Sequence, residues 1–358
     1  MTFICPITYN VAMSETRSGK FTAAIIGAGA VGKYHINAQE RLGSKIVIFE
    51  PNQDRAREIV QRYEGLTVVP TLDDAIDRAD VVHICTPHKY HAEGALAAIR
   101  QKKPTIVEKP LTINLDESVD IYRAAKENGT PVVVGTSFRL TPPFMDIWGG
   151  LQNGEIGELL SLETTYVHDM SRVSVGGDWR KSPDRGSFLF GGGSHAIDLS
   201  MWLANQPATE VQARIGNKKM RQDYPGDEDF DLSIGYEDGT TGRVWLSAAA
   251  PLPQHGADVK VYGTKGAYRA HNKYPKLESY RDGDPDWTSK PVGLTHTIDT
   301  MSEIVNAYIR EERDSFDPLP GIEDGLKVMI VMHMLDIASR SGQIEKVPSL
   351  EEVVQAKR

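Results

Sequence analysis

Three short stretches hold side chains able to move a proton or polarise an oxygen. GGGSHAID, residues 191–198, runs three glycines into Ser194, His195 and Asp198. Glu108-Lys109-Pro110 follows the apolar run PTIV. GAGAVG, residues 27–32, is a glycine-rich turn. In the first stretch Ser194 reads as a helix N-cap, which puts His195 in the first helical turn. The helix dipole there disfavours imidazolium. A neutral imidazole near pH 7 can take the proton of a hydroxyl. Lys109 can hydrogen-bond the same oxygen and stabilise negative charge that develops on it. The competing reading is a histidine that caps a helix whose Ile197, Leu199 and Trp202 enter the core.

The glycine loop has Gly27, Gly29 and Gly32 in GxGxxG spacing, and the next apolar run ends at Glu50, 18 positions after Gly32. The first glycine makes the tight turn, the second lets backbone approach a pyrophosphate, and the third permits close helix–strand packing. The helix N-terminus then offers N–H groups and a favourable dipole to phosphates. The pattern predicts a dinucleotide held by Gly27, Gly29, Ala30, Val31 and Gly32. Glu50 would accept hydrogen bonds from the adenosine ribose and repel a 2′-phosphate, so NAD is expected over NADP. Arg55 and Arg57 stand near it in sequence.

The elements that must position these residues follow from periodicity. Strand-like runs at 21–26, 45–49, 68–69, 80–85, 104–107 and 132–134 alternate with helical patterns at 31–42, 54–63, 71–78, 90–101 and 114–126. Ala56, Ile59 and Val60 form the apolar stripe of the second helix. Thr71 with Asp74, and Asn114 with Glu117, read as capping signals. Such alternation predicts a parallel sheet with helices on both faces. PTIV would deliver Lys109 to the carboxyl end of that sheet, where ligands bind, and Pro110 fixes the turn that aims it. After residue 150, runs such as GELLSLETTYVHD and FDLSIGYEDGTTGRVWLSAA alternate apolar and polar residues between Gly/Asp turns, as an antiparallel sheet with one open face would. Helices return around Met301–Tyr308 and Leu326–Ser339. The division expected is a flexible extension at 1–20, a nucleotide-binding domain at 21–137 and a substrate domain at 138–358.

The chain has 358 residues, 40% hydrophobic and 25% charged, enough for two cores. A net charge of −9 without a Lys/Arg run speaks against nucleic acid and anionic membranes as partners. No apolar run approaches the ~18 residues of a membrane span. The first 20 residues lack the pattern of a signal peptide. Two cysteines, Cys5 and Cys85, make no disulfide framework or zinc spacing, which fits a reducing, cytoplasmic setting. No metal site is expected.

Further residues make the sequence recognisable. CTP (85–87), His91, VEKPL (107–111), NGEIG leading into GELL (153–160), DWR (178–180) and GSHAIDL (193–199) occur in this order. Together with the glycine loop they resemble the glucose–fructose oxidoreductase and inositol dehydrogenase family (Gfo/Idh/MocA), over about residues 21–345. The resemblance implies a Rossmann domain followed by an α/β domain with a large, mostly antiparallel open sheet that builds homodimers or homotetramers. It implies NAD(P)-dependent oxidation or reduction of sugar or cyclitol hydroxyls and ketones. Lys109 falls on the family's EKP lysine, beside the nicotinamide and the reacting oxygen, and His195 on its catalytic histidine. Asp198 falls on the HxxD aspartate, where it binds substrate or holds backbone, and Arg139 on the arginine of the GFxxRF region, expected among the substrate contacts. Thr86, Pro87, His91 and Glu108 are expected to shape the cofactor pocket.

One position departs from the pattern. The family stretch usually has an Asp four residues before the histidine, and here Gly191 stands there. Tyr166, His168 and Asp169 are candidates to replace that carboxylate. Trp179 and Arg180 contact substrate or pin a loop. Two other functions stay open on the sequence: an NAD-recycling lyase or glycosidase that works through transient oxidation, and a dinucleotide-dependent sensor without catalysis.

Overall fold

The computed structural model describes residues 21–170, 187–216, 229–251 and 256–357. The expected N-terminal extension lies outside them, as do Trp179 and Arg180.

The first six strands are β1 (Thr22–Ile26), β2 (Lys45–Phe49), β3 (Thr67–Val68), β4 (Val81–Ile84), β5 (Thr105–Val107) and β6 (Val132–Val134). They form one parallel sheet in the order β3-β2-β1-β4-β5-β6. Helices cover both faces, so β4, β5 and β6 are buried at every position and read as unbroken apolar runs. The order reverses at β1, and the crevice beside it opens at the carboxyl ends of the strands. The glycine loop, Cys85–Pro87 and Glu108-Lys109 leave β1, β4 and β5 at that same end.

Local signals place the connecting helices. Thr71 caps the helix Leu72–Asp77, its Oγ1 accepting the Asp74 N–H at 3.1 Å. Asn114 caps Leu115–Asn128, but its bond goes to the Asp116 N–H at 2.8 Å. Such caps stabilise a helix by about 1 kcal/mol each. In the helix Gln53–Arg62, Ala56 and Ile59 are buried, whereas Val60, expected on the same stripe, is 54% exposed. One residue past Ile59 it is turned about 100° away around the axis.

The second sheet is built from β7 (Leu159–Val167), β8 (Ala208–Ile215), β9 (Asp229–Tyr236), β10 (Thr241–Ser247), β11 (Gly256–Gly263), β12 (Gly266–His271), β13 (Lys276–Arg281), β14 (Thr288–Pro291) and β15 (Glu345–Lys346). Its order is β14-β13-β12-β11-β7-β10-β9-β8-β15. The pairings are antiparallel except β7 with β10, which run parallel. Its inner face packs on the helix Gly193–Ala204, pinned by a bond from Thr164 Oγ1 to the Ala196 carbonyl at 2.9 Å. The outer face carries exposed ion pairs, Arg243–Asp231 and Lys260–Glu163, with Trp245 exposed among them.

The end of the chain folds back onto the first sheet. Met301, Ile304 and Val305 of the helix Thr297–Ile309 pack with Ala23, Val81, Ile106 and Val133. By packing this helix belongs with the first sheet, although it falls in the second expected domain. The helix Ile322–Ser341 then fills the space between Leu115–Asn128 and β8.

Candidate active site

The glycine loop is shaped by close contacts. Gly27 has φ +91°. A side chain there would press on the Cys85 carbonyl and the Thr86 Cα at 3.0 and 3.1 Å. A Cβ on Gly32 would lie 2.1 Å from the Gly27 carbonyl oxygen, so only glycine lets the helix Ala30–Arg41 start this close to the loop. That helix begins at Gly29 without a side-chain cap and without an acidic residue in its first turn. Its leading N–H groups remain for an anion. The buried Thr86 hydroxyl, beside Gly27, has no hydrogen-bond partner among the described residues. Glu50 ends β2 with its carboxylate turned to the loop, accepting the Ala28 N–H and the Asn52 N–H at 2.9 Å each. These features fit a dinucleotide with its pyrophosphate at the helix N-terminus and its ribose near Glu50. Arg55 lies on Glu50 at 3.2 Å and Arg57 on Asp54, so both nearby cations already have carboxylate partners.

His91 is fully buried and joins the two loops beside this site. Its Nδ1 lies 2.8 Å from the Pro110 carbonyl and its Nε2 3.0 Å from the Thr86 carbonyl. It ties the Thr86-Pro87 loop to the Lys109-Pro110 turn.

A cleft of about 340 Å³ opens next to the glycine loop. Val31, Lys109, His168 and His195 line it. Lys109 Nζ donates to the Gly191 carbonyl at 2.9 Å. His195 lies in the first turn of Gly193–Ala204, as expected, but the N-cap is Gly192; Ser194 is inside the helix and its Oγ donates to the Gly191 carbonyl at 3.3 Å. The His195 ring stacks on Phe138, centroids 4.2 Å apart and planes within 13°. Its Nδ1 is enclosed without a hydrogen-bond partner among the described residues, which leaves Nε2 to meet the cleft. Burial, with Lys109 and His168 nearby, holds this imidazole well below the usual histidine range. It is neutral at pH 7.

The other expected contacts divide into two groups. Tyr166 and His168 line the cleft, the Tyr166 hydroxyl 3.3 Å from His168 Nδ1. Asp169 is buried just beyond them and is not among the lining residues. Arg139 and Asp198 are also absent from the lining and bind each other instead, through Nε at 2.9 Å and Nη2 at 2.6 Å. Arg139 Nη1 reaches Asp324 at 3.1 Å. This clamp joins the turn Ser137–Leu140 to the helix that carries His195, and Phe138 on that turn forms the stack with His195.

Comparison with known proteins agrees with this architecture. The oxidoreductase family with an NAD-binding Rossmann fold matches residues 21–136, and the GFO/IDH/MocA C-terminal domain matches residues 150–269. The chain belongs to the Gfo/Idh/MocA family. Among its relatives, levoglucosan dehydrogenase of Pseudarthrobacter phenanthrenivorans is 27% identical over 278 residues, covering 68% of this chain and 71% of that protein. The scyllo-inositol 2-dehydrogenase (NAD(+)) of Bacillus subtilis is 28% identical over 254 residues, covering 68% and 72%. Levoglucosan dehydrogenase solved in complex with NADH has the same fold, with a TM-score of 0.83 at 22% identity, over 93% of this chain and all of that one. The protein is thus an oxidoreductase whose N-terminal domain is the NAD-binding Rossmann fold of the family.

Several residues of the family cleft escaped the sequence reading. His88, one residue past CTP, lines it, as do Phe138, Thr297 and Ile298. Position after a strand end was the signal available for His88. Thr297 and Ile298 arrive from more than a hundred residues beyond His195, and periodicity gives no sign of where their helix docks. Among the described residues no group of three or more His, Cys, Asp or Glu side chains is placed to hold a metal ion, and no helix is long and apolar enough to cross a membrane.

Proposed function

We propose that this chain moves hydride between NAD and a carbon bearing a hydroxyl or keto group in a sugar, a sugar derivative or a cyclitol such as an inositol. The observation that carries the proposal is that the Lys109 ammonium and the neutral imidazole of His195 line one cleft beside the dinucleotide loop. The bound nicotinamide supplies the hydride acceptor. Lys109 donates one N–H to the Gly191 carbonyl, and its ammonium would donate another to the substrate oxygen when substrate is bound. That bond lowers the cost of negative charge on the oxygen as hydride departs. His195 takes the hydroxyl proton at Nε2, and in the reverse direction returns it. Phe138 holds the ring plane, and the Arg139–Asp198 clamp holds Phe138. His168 and Tyr166 contact the remaining hydroxyls. Glu50 favours NAD over NADP, because its carboxylate would accept from the ribose hydroxyls and repel a 2′-phosphate, and it also pairs with Arg55.

The open face of the second sheet, with Trp245, is the surface proposed to build a homodimer or homotetramer. A cytoplasmic location is proposed from cysteine content, Cys85 being a buried free thiol. The reaction is tested by following NADH absorbance with NAD and a panel of sugars and inositols. NADH formed with a polyol supports the proposal. Tight NAD binding with no product from any polyol in either direction overturns it.

A further inference from the structure

A second cavity, of about 730 Å³, shares no described lining residue with the cleft. Its wall is made by Trp202, about two turns beyond His195 on the helix Gly193–Ala204, and by Trp148 of the helix Pro142–Gln152. The two indoles are half-buried and nearly parallel, with centroids 5.7 Å apart and planes at 10°. Val328 and Val331 of the helix Ile322–Ser341 continue the apolar surface. Around it stand side chains with planar polar ends. Asn205 and Gln206 follow the Trp202 helix, Asp317 precedes the helix Ile322–Ser341, and Glu351 comes from the helix Leu350–Ala356. Arg139 and Lys327 also line the cavity, but each already has a carboxylate. Arg139 is held by Asp198 and Asp324, and Lys327 lies 3.1 Å from Glu323.

We propose that this cavity is a second, non-catalytic binding site, and that its ligand is a neutral sugar of one or two rings. Flat indoles suit the C–H faces of a pyranose. Planar amides and carboxylates suit its hydroxyls, each of which both donates and accepts. The volume lies within the ~300–1,000 Å³ of small-molecule sites. Other ligand chemistries leave part of the lining unused or opposed. A wholly apolar ligand would strip water from Asp317, Asp324 and Glu351 and return no hydrogen bond. A phosphate or a free carboxylate would face those three acids, with both lining cations already paired. An organic ammonium would be drawn to the acids, yet would offer the amide N–H groups of Asn205 and Gln206 no acceptor. A neutral polyol uses the acids, the amides and the indoles together. The site stands apart from the reaction, since neither Lys109 nor His195 lines it.

The test is calorimetric titration of the full-length protein, without added NAD, with maltose, cellobiose, trehalose and sucrose, and separately with phenethylammonium chloride. At least one disaccharide is expected to bind wild type with a Kd near or below about 10 mM. Trp148→Ala and the double variant Gln206→Ala/Glu351→Ala should each weaken that binding about tenfold or more. The double variant removes no core side chain, so it decides the matter should Trp148→Ala fail to fold. Glu351→Gln keeps a hydrogen-bonding end without the charge and should stay within about threefold of wild type. Lys109→Ala and His195→Asn alter only the cleft and should leave disaccharide affinity within about twofold. Absence of disaccharide binding up to about 50 mM overturns the proposal. So does binding that Lys109→Ala abolishes and the cavity variants spare, which would place the sugar in the cleft. Phenethylammonium bound in place of every disaccharide, and lost in Glu351→Gln, overturns it in favour of a cation. A dimer in sedimentation that Trp148→Ala dissociates overturns it in favour of a second copy of the chain.

Discussion

The Lys109 ammonium is bonded at 2.9 Å to the carbonyl of Gly191, the residue at which the sequence departs from the pattern it resembles. A backbone oxygen thus accepts from the lysine and helps to orient it. A Cβ at Gly191 would meet nothing closer than His88 Cε1 at 4.0 Å. Gly191→Asp should therefore fold with a nearly unchanged melting temperature. Its carboxylate would compete with the substrate oxygen for the Lys109 ammonium, raise the lysine pKa and lower turnover by about tenfold. A pH–rate profile identical to wild type would show that this position does not act on Lys109.

Arg139 and Asp198 are expected to matter for stability more than for substrate affinity. Arg139→Ala leaves the fully buried Asp198 without its cation, a loss of about 3–5 kcal/mol. Thermal denaturation should fall by roughly 10 °C. A variant of wild-type stability with a raised KM for substrate would return Arg139 to the role of a substrate contact.

The acid limb of the oxidation reports His195. Its folded pKa is depressed, so the neutral base is present from pH 6.5 upward and is lost only as pH falls well below that value. The rate of NAD reduction should stay flat on going from pH 8 to pH 6.5 and drop at lower pH. The limb should vanish in His195→Asn, along with most of the rate. A limb at or above pH 6.5 would mean that the cleft does not desolvate this ring.

Cofactor choice is expected to depend on Glu50. Glu50→Ser removes the repulsion toward a 2′-phosphate and frees Arg55 to meet one. The ratio of kcat/KM for NADP over NAD should rise about ten- to hundredfold, equal to roughly 1.4–2.8 kcal/mol. NAD binding should also weaken, because the Ala28 N–H loses its acceptor. A wild-type enzyme that already prefers NADP would contradict this reading.

Much of this site is legible in the sequence because it depends on local rules. GAGAVG and Glu50 are placed by one strand–turn–helix unit, and Lys109 by the end of one buried strand. His195 is found by its motif, but its cap differs: Ser194 has a side chain suited to an N-cap, while the helix starts at Gly193, two residues earlier than such a cap would set, and Ser194 Oγ donates to the Gly191 carbonyl. The harder cases are pairings across the fold. Arg139 and Asp198 are 59 positions apart, and neither sequence position shows that the two pair with each other. Glu108 is read as part of the cofactor pocket, but nothing in the sequence links it to His35 and His83, which it meets through His35. The parallel pairing of β7 with β10 is likewise invisible to alternation, which specifies the faces of a strand but not its direction.

The most direct test of the central claim is the initial rate of NADH formation by wild type and Lys109→Ala on the first polyol that turns over, with NAD affinity measured in parallel. Loss of turnover by about two to four orders of magnitude, at nearly unchanged NAD affinity, is the predicted result. Equal turnover in the two proteins would contradict it.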